Sequence, residues 1–293
     1  MEIKRLSPTS GAEILGVDLS KPLPAYELQK VKDALCQDGI VLFRDQKLDP
    51  GQLVAFTNQM GPSEPYTSII PEYVLPGFPD IISISNVIGD DGKKVGVEKA
   101  GQYWHTDGSY LDRPAWASVL YSLEVPHTPE GEPLGNTLFA NMAAAYDALP
   151  EDKKQQMEGL TAFHQYVHRF NKQKEGSVPP HATRPVILKH PVTGKKLIYV
   201  NRGFTHRILG MEEKAAAELF DWLCDYATQE QFRYTHRWKV GDLVMWDNYC
   251  SQHFAVPDYG DLRRRMWRTT VRGFPWRDGA FVSQSEAARA QVA

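Results

Sequence analysis

The chain has 293 residues, 42% of them hydrophobic, and a net charge of −3 at pH 7. That length and apolar content suit one catalytic domain over residues 1–293, because folds rich in β-structure often reach this size undivided. The acidic balance, with Lys and Arg scattered, offers no basic field to a phosphate backbone or an anionic bilayer, so nucleic acid and membrane are excluded as expected partners.

Residues 26–37 place Leu28, Val31 and Leu35 at helical spacing, and they run into GIVLFRD at 39–45, an apolar burst that reads as a buried strand. Asp49 followed by Pro50 marks the N-cap and first turn of a second helix, which reaches Met60 and stops at Gly61-Pro62. Residues 62–104 carry Pro62, Pro65, Pro71, Pro76 and Pro79 and one strand candidate, Ile81–Ser85; most of this segment is expected to be a lid-like loop. Trp116–Val125 reads as a strand, 142–159 as a helix broken near Pro150, and 168–183 as a second lid-like loop. Strands at 184–189 and 196–201 flank the turn-forming stretch His190–Gly194, an amphipathic helix covers 212–227, and strands follow at 232–239, 242–247 and 265–273. The small, polar tail at 279–293 is expected to fray. Cys36, Cys224 and Cys250 form no CxxC pair, residues 1–20 hold no apolar core of signal-peptide length, and no apolar run approaches the roughly 18 residues of a membrane span. A soluble protein of the reducing cytoplasm is expected.

The sharpest local feature is WHTDGSY at 104–110. His105 and Asp107 are two apart, so on an extended strand their side chains leave from the same side. A third ligand is available from WDNYCSQHFAVPDYGDLRRRMWRTTVRG, where His253 follows one strand and precedes another that is dense in arginine. Two imidazoles and one carboxylate on one face leave three coordination positions open, the arrangement a ferrous ion uses to take a bidentate oxoacid together with dioxygen. Arg264 and Arg268 differ by four and would share a strand face suited to a dicarboxylate; Thr137, in GNTLFANM, can add a hydroxyl. His164, His168, His181, His190 and His206 lie beside turns or in a lid, where imidazoles ordinarily bond the backbone or face water, and are not taken as catalytic. Cys250 reads as a buried, inert thiol.

Together these motifs resemble the taurine dioxygenase/2,4-D dioxygenase family of iron(II)- and 2-oxoglutarate-dependent oxygenases. The similarity runs through GAEILGVDLS at 11–20, GIVLFRDQ, WHTD, GNTLF, YVNRGFTHRI at 199–208, WKVGDLVMWDN at 238–248, and His253 with arginines 11 and 15 residues later. It implies a mainly β fold with flanking α-helices and a double-stranded β-helix core, the cupin-like jelly roll. It also implies that His105, Asp107 and His253 hold iron, that Arg264 and Thr137 hold the distal carboxylate of 2-oxoglutarate, and that Arg268 meets the substrate's acid group or the oxoacid's near carboxylate. Such a site consumes 2-oxoglutarate and dioxygen, releases succinate and carbon dioxide, and hydroxylates a small organic substrate.

The substrate side departs from the taurine pattern. Residues 61–104 contain no histidine, and the position four before His105 is Gly101. The candidates offered instead are Tyr66, Asn86 and Lys99 from the loop, Phe204 from the pocket-lining family position, and Arg268. Desaturation or oxidative cleavage of a secondary metabolite is the alternative outcome. A non-catalytic jelly roll that binds an anion is the alternative class. A dimer or tetramer is compatible with the resemblance.

Overall fold

The computed structural model describes residues 1–67, 70–166, 178–277 and 279–282. Its centre is an eight-stranded sheet in the order Glu2–Arg5, Ala12–Leu15, Ile40–Phe43, Leu243–Asp247, Ala117–Glu124, Arg265–Val271, Phe78–Ser85 and Val74–Leu75. All pairs are antiparallel except Ala12–Leu15 with Ile40–Phe43. A three-stranded sheet of Arg233–His236, Thr137–Asn141 and Ser251–Ala255 faces it, and Thr205–Leu209, Thr161–Gln165 and His181–Pro185 form another.

The apolar burst at 40–43 is buried at all four positions because both of its faces are covered. Alternation sends Ile40 and Leu42 inward to Leu120, Val244, Trp246 and Met266, which meet Phe139 and Trp238 on the opposing side. Val41 and Phe43 face outward to Val31, Leu35, Leu53 and Phe56 of the helices Ala25–Asp38 and Pro50–Met60. The second helix starts as its sequence predicts: the Asp49 side chain accepts from the N–H of Gln52, and the Gln52 side chain returns a bond to the N–H of Asp49. Two facing antiparallel sheets with helices on the outside are the expected jelly roll.

Several boundaries differ from expectation. The strand read at 184–189 divides into His181–Pro185 and Ile187–Lys189, because Pro185 has no N–H to continue a ladder and the chain changes partners there. Residues 168–177 of the second loop, His168 among them, lie outside the described residues, whereas 181–183 are strand. At the tail, Ala280–Phe281 pairs with Trp276–Arg277, and the Phe281 ring packs 4.6 Å from Tyr249; 283–293 lie outside the described residues. Among the described residues no helix is long and apolar enough to cross a membrane.

Candidate active site

His105 and His253 face each other across an isolated antiparallel bridge, each donating its N–H to the other's carbonyl at 3.2 and 2.8 Å. Residues opposed in this way send their side chains to the same side, and the two imidazole rings stand 4.0 Å apart. Asp107, two residues on, joins them: its Oδ1 lies 3.7 Å from His105 Nε2 and its Oδ2 3.8 Å from His253 Nε2. One ligand atom from each residue falls within 4.8 Å of the others, too far for direct bonds and suited to a shared ion.

The chemical state of the three groups favours a cation. Burial pushes both imidazoles below their ordinary range, His253 furthest, and so keeps them neutral with a lone pair to give. For Asp107, burial pushes the carboxyl up, but the charge and hydrogen bond of the Arg268 guanidinium outweigh it and hold the group well below the usual carboxylate range. The Nδ1 of His105 sits 2.8 Å from the Tyr103 carbonyl, which can only accept; the proton is therefore on Nδ1 and the Nε2 lone pair points into the site. A neutral N, neutral N, anionic O set on one face fits iron(II).

A contrasting cluster shows what such a site requires. Cys36, His190 and Asp247 also bring ligand atoms within 4.8 Å, and all three are buried. There the His190 Nδ1 accepts from the N–H groups of Val192 and Thr193, so the proton is on Nε2, bonded to Asp247 at 3.1 Å. That imidazole has no lone pair to offer, and burial raises the Cys36 thiol far above its ordinary range.

Two residues around Asp107 escaped the sequence reasoning. Ser118 Oγ donates to Asp107 Oδ2 at 2.7 Å and accepts from Arg268 Nη2 at 3.0 Å and Asn248 Nδ2 at 3.1 Å. The Asn248 side-chain oxygen accepts from the Asp107 N–H at 3.3 Å and from the Trp246 indole at 3.1 Å, and its carbonyl accepts from the Thr106 hydroxyl. The sequence signal for Ser118 is weak: it is one of two serines, with Ser122, in the strand-like run ASVLYSLE, and both are buried.

His105 and Asp107 open on a cavity of about 690 Å3, whereas His253 is not part of its lining. Tyr66, Phe204 and Arg268 line it, joined by Tyr103, Tyr110 and Tyr166, the apolar Ile82, Ile84 and Val97, and Arg113 and Arg272. Tyr66 hydrogen-bonds Thr270 through their hydroxyls. Asn86 and Lys99 are placed elsewhere. The Asn86 amide is spent on the backbone of the 260–264 turn, donating to the Leu262 carbonyl at 2.8 Å and accepting from the Arg264 N–H at 2.9 Å; Lys99 is exposed and not part of the lining.

Arg264 and Thr137 are both buried and neither is in the lining of this cavity. Arg264 precedes the strand Arg265–Val271, whose register shifts between Arg265 and Met266, so the four-residue spacing to Arg268 is not that of a regular strand. Its guanidinium stem crosses Gly135, where a Cβ would stand 2.7 Å from Nε. No carboxylate lies within ion-pair reach of it among the described residues, and its Nε has no partner. Thr137 Oγ1 accepts from the Trp238 indole at 3.0 Å, which leaves its own proton to donate. A buried guanidinium without a carboxylate partner, passing two residues from a buried hydroxyl that can donate, suits a carboxylate.

A jelly roll with a two-histidine, one-carboxylate face is the framework of a non-haem dioxygenase. A model of the family described as taurine catabolism dioxygenase TauD, TfdA family matches residues 2–270, and the chain belongs to that family of oxidoreductases. It is 32% identical over 283 residues to the alpha-ketoglutarate-dependent 2,4-dichlorophenoxyacetate dioxygenase of Cupriavidus pinatubonensis, covering 91% of this chain and 96% of the relative. It is 30% identical over 287 residues to an alkylsulfatase of Acinetobacter baylyi, covering 93% and 85%. The crystal structure of AAD-2 in complex with Mn(II) and N-oxalylglycine superposes with a TM-score of 0.76 at 29% identity, covering 94% and 98%. The co-substrates such a family implies are 2-oxoglutarate and dioxygen.

Proposed function

We propose that this protein uses iron(II), 2-oxoglutarate and dioxygen to hydroxylate, or oxidatively cleave, a small organic anion with an apolar body. The observation that carries it is the meeting of His105, Asp107 and His253 within 4.8 Å, with His105 and Asp107 in the wall of a cavity that Arg268 and Phe204 also line. Iron bound by those three supplies, with 2-oxoglutarate and dioxygen, an oxidant able to take a C–H hydrogen, with succinate and carbon dioxide as co-products. Arg264 and Thr137 hold the distal carboxylate of the oxoacid. Arg268 holds Asp107 ionised and reaches the substrate's acid group or the near carboxylate. Tyr66, Tyr110 and Phe204 shape the substrate's space and keep water from it.

The substrate class follows from size and lining. A cavity of about 690 Å3 with Ile82, Ile84, Val97 and Phe204 in its wall is far roomier than a short amino sulfonate needs, and Arg113 and Arg268 in the same wall can meet an anion, Arg272 being paired with Glu64. The curated relatives are named for a chlorinated phenoxyacetate and for alkyl sulfates, which agree in being apolar bodies with one acid group. A reducing cytoplasm suits the three buried thiols.

The test is a screen of aryloxy acids, alkyl sulfates, sulfonates, N-acyl amino acids and phosphonates for substrate-triggered succinate release. An apolar anion is expected to raise succinate formation about tenfold or more over the basal rate, with taurine ineffective and a product heavier by one oxygen. Iron-loaded protein that binds 2-oxoglutarate yet responds only to uncharged compounds would overturn the substrate class.

A further inference from the structure

The small sheet beside the site turns an unusual face inward. In the paired strands Thr161–Gln165 and His181–Pro185, Ala162 stands opposite Arg184 and His164 opposite Ala182, and all four are buried. Two of the four places where apolar side chains would pack are given to groups that are costly to desolvate. Both of them reach by hydrogen bonds to the stretch that follows the ligand Asp107. His164 Nδ1 is 3.1 Å from the buried Ser109 Oγ and 3.2 Å from Thr205 Oγ1. Arg184 Nη2 donates to the carbonyl of Leu111 at 2.6 Å and to that of Asp112 at 3.4 Å.

That stretch forms one wall of the cavity through Gly108, Tyr110, Leu111, Asp112 and Arg113, and Phe204, next to Thr205, forms the adjoining wall. On its other side the Arg184 guanidinium lies 4.6 Å over the ring of Trp276 and 5.8 Å from that of Phe281, the two strands of the C-terminal hairpin. Its hydrogen bonds go to carbonyl oxygens, so the charge grips the main chain directly rather than an acidic partner.

We propose that His164 and Arg184 are positioning residues that hold segment 108–113 as the substrate-side wall, with the hairpin Trp276–Phe281 locking Arg184 from behind. Neither touches the metal ligands' donor atoms or the Arg264 pocket, so they set which substrate bodies fit without setting metal or oxoacid affinity. The consequence for substrate rests on the active-site assignment above, whereas the clamp itself does not.

Hydrogen–deuterium exchange on the full chain with Mn(II) and 2-oxoglutarate tests it. Arg184→Met is expected to speed exchange in peptides spanning 108–116 about tenfold, and Arg184→Lys, which keeps charge but not the fork, only about threefold. Trp276→Leu, which keeps Arg184 and removes its aromatic cover, is expected to give about threefold as well and serves if Arg184→Met does not fold. Peptides from 40–60 stay unchanged, and dissociation constants for Mn(II) and 2-oxoglutarate stay within about twofold of wild type. Unchanged exchange at 108–116, or equal acceleration throughout the chain, overturns the clamp. Wild-type protein that takes up neither Mn(II) nor 2-oxoglutarate overturns the active-site assignment instead, and the exchange pattern still decides the clamp.

Discussion

Arg268 Nη2 lies 2.5 Å from Asp107 Oδ2, the same carboxylate oxygen that Ser118 reaches at 2.7 Å. One oxygen is thereby committed to the protein, and Oδ1, on the His105 side, is left for a cation. The pair also decides how the metal-free protein tolerates a largely buried carboxylate: Arg268 supplies the positive charge that an ion later supplements.

Replacing that arginine by methionine leaves the Asp107 charge without its cation. Arg268→Met should cost the metal-free protein about 2 kcal/mol, and saturating Mn(II) should restore more stability to the variant than to wild type, because the ion then provides the missing charge. Urea unfolding with and without Mn(II) measures both. A smaller Mn(II) increment in the variant would show that Arg268 helps the ion bind more than it substitutes for it.

Asn248 acts on Asp107 from two directions, through the backbone N–H and through Ser118. Asn248→Ala should weaken Mn(II) binding about tenfold or more by loosening the carboxylate, with 2-oxoglutarate affinity at saturating metal little changed. Titration calorimetry separates the two; unaltered Mn(II) affinity would make Asn248 a packing residue only.

Gly135 stands where Arg264 passes, at φ +68° and with a prospective Cβ 2.8 Å from Arg264 Cδ. Gly135→Ala should displace the guanidinium and weaken 2-oxoglutarate binding about tenfold or more, leaving Mn(II) affinity intact. Equal losses for both ligands would mean that the change disturbs the whole core instead.

His164 carries a pH signature. Burial, with Arg184 nearby, lowers its pKa from 6.5 to about 3, so between those values the unfolded chain binds a proton that the native protein refuses. Stability is therefore lost as pH falls below 6.5, and the loss levels off near 3. His164→Asn should lose about 1 kcal/mol less than wild type between pH 6 and pH 5, whatever its offset at pH 7. Parallel stability curves would contradict the assignment of a neutral His164.

How much of this was readable beforehand depended on range. His105 and Asp107 announce themselves because a two-residue spacing fixes a shared side on any strand, and the strand Ile40–Phe43 is visible as an unbroken apolar run. Ser118 and Asn248 do not, since their value comes from strands that only the folded register sets against Asp107. Asn86 and Lys99 have the residue type of substrate contacts, but the backbone of the 260–264 turn claims one and solvent the other. Short strands such as Thr137–Asn141 and Ser251–Ala255 left too little alternation to be recognised, yet the second carries His253. The spacing of Arg264 and Arg268 suggested a regular strand face, whereas a register shift separates them.

The most direct measurement is an anaerobic titration of the metal-free protein with Fe(II) in the presence of 2-oxoglutarate, followed by visible absorption. Wild type should develop a weak metal-to-ligand charge-transfer band that saturates at about one equivalent per chain, and His253→Ala and Asp107→Ala should each abolish it at the same concentrations. A band that persists undiminished in His253→Ala, or none in wild type that demonstrably holds iron, would contradict a single ferrous centre shared by residues 105, 107 and 253.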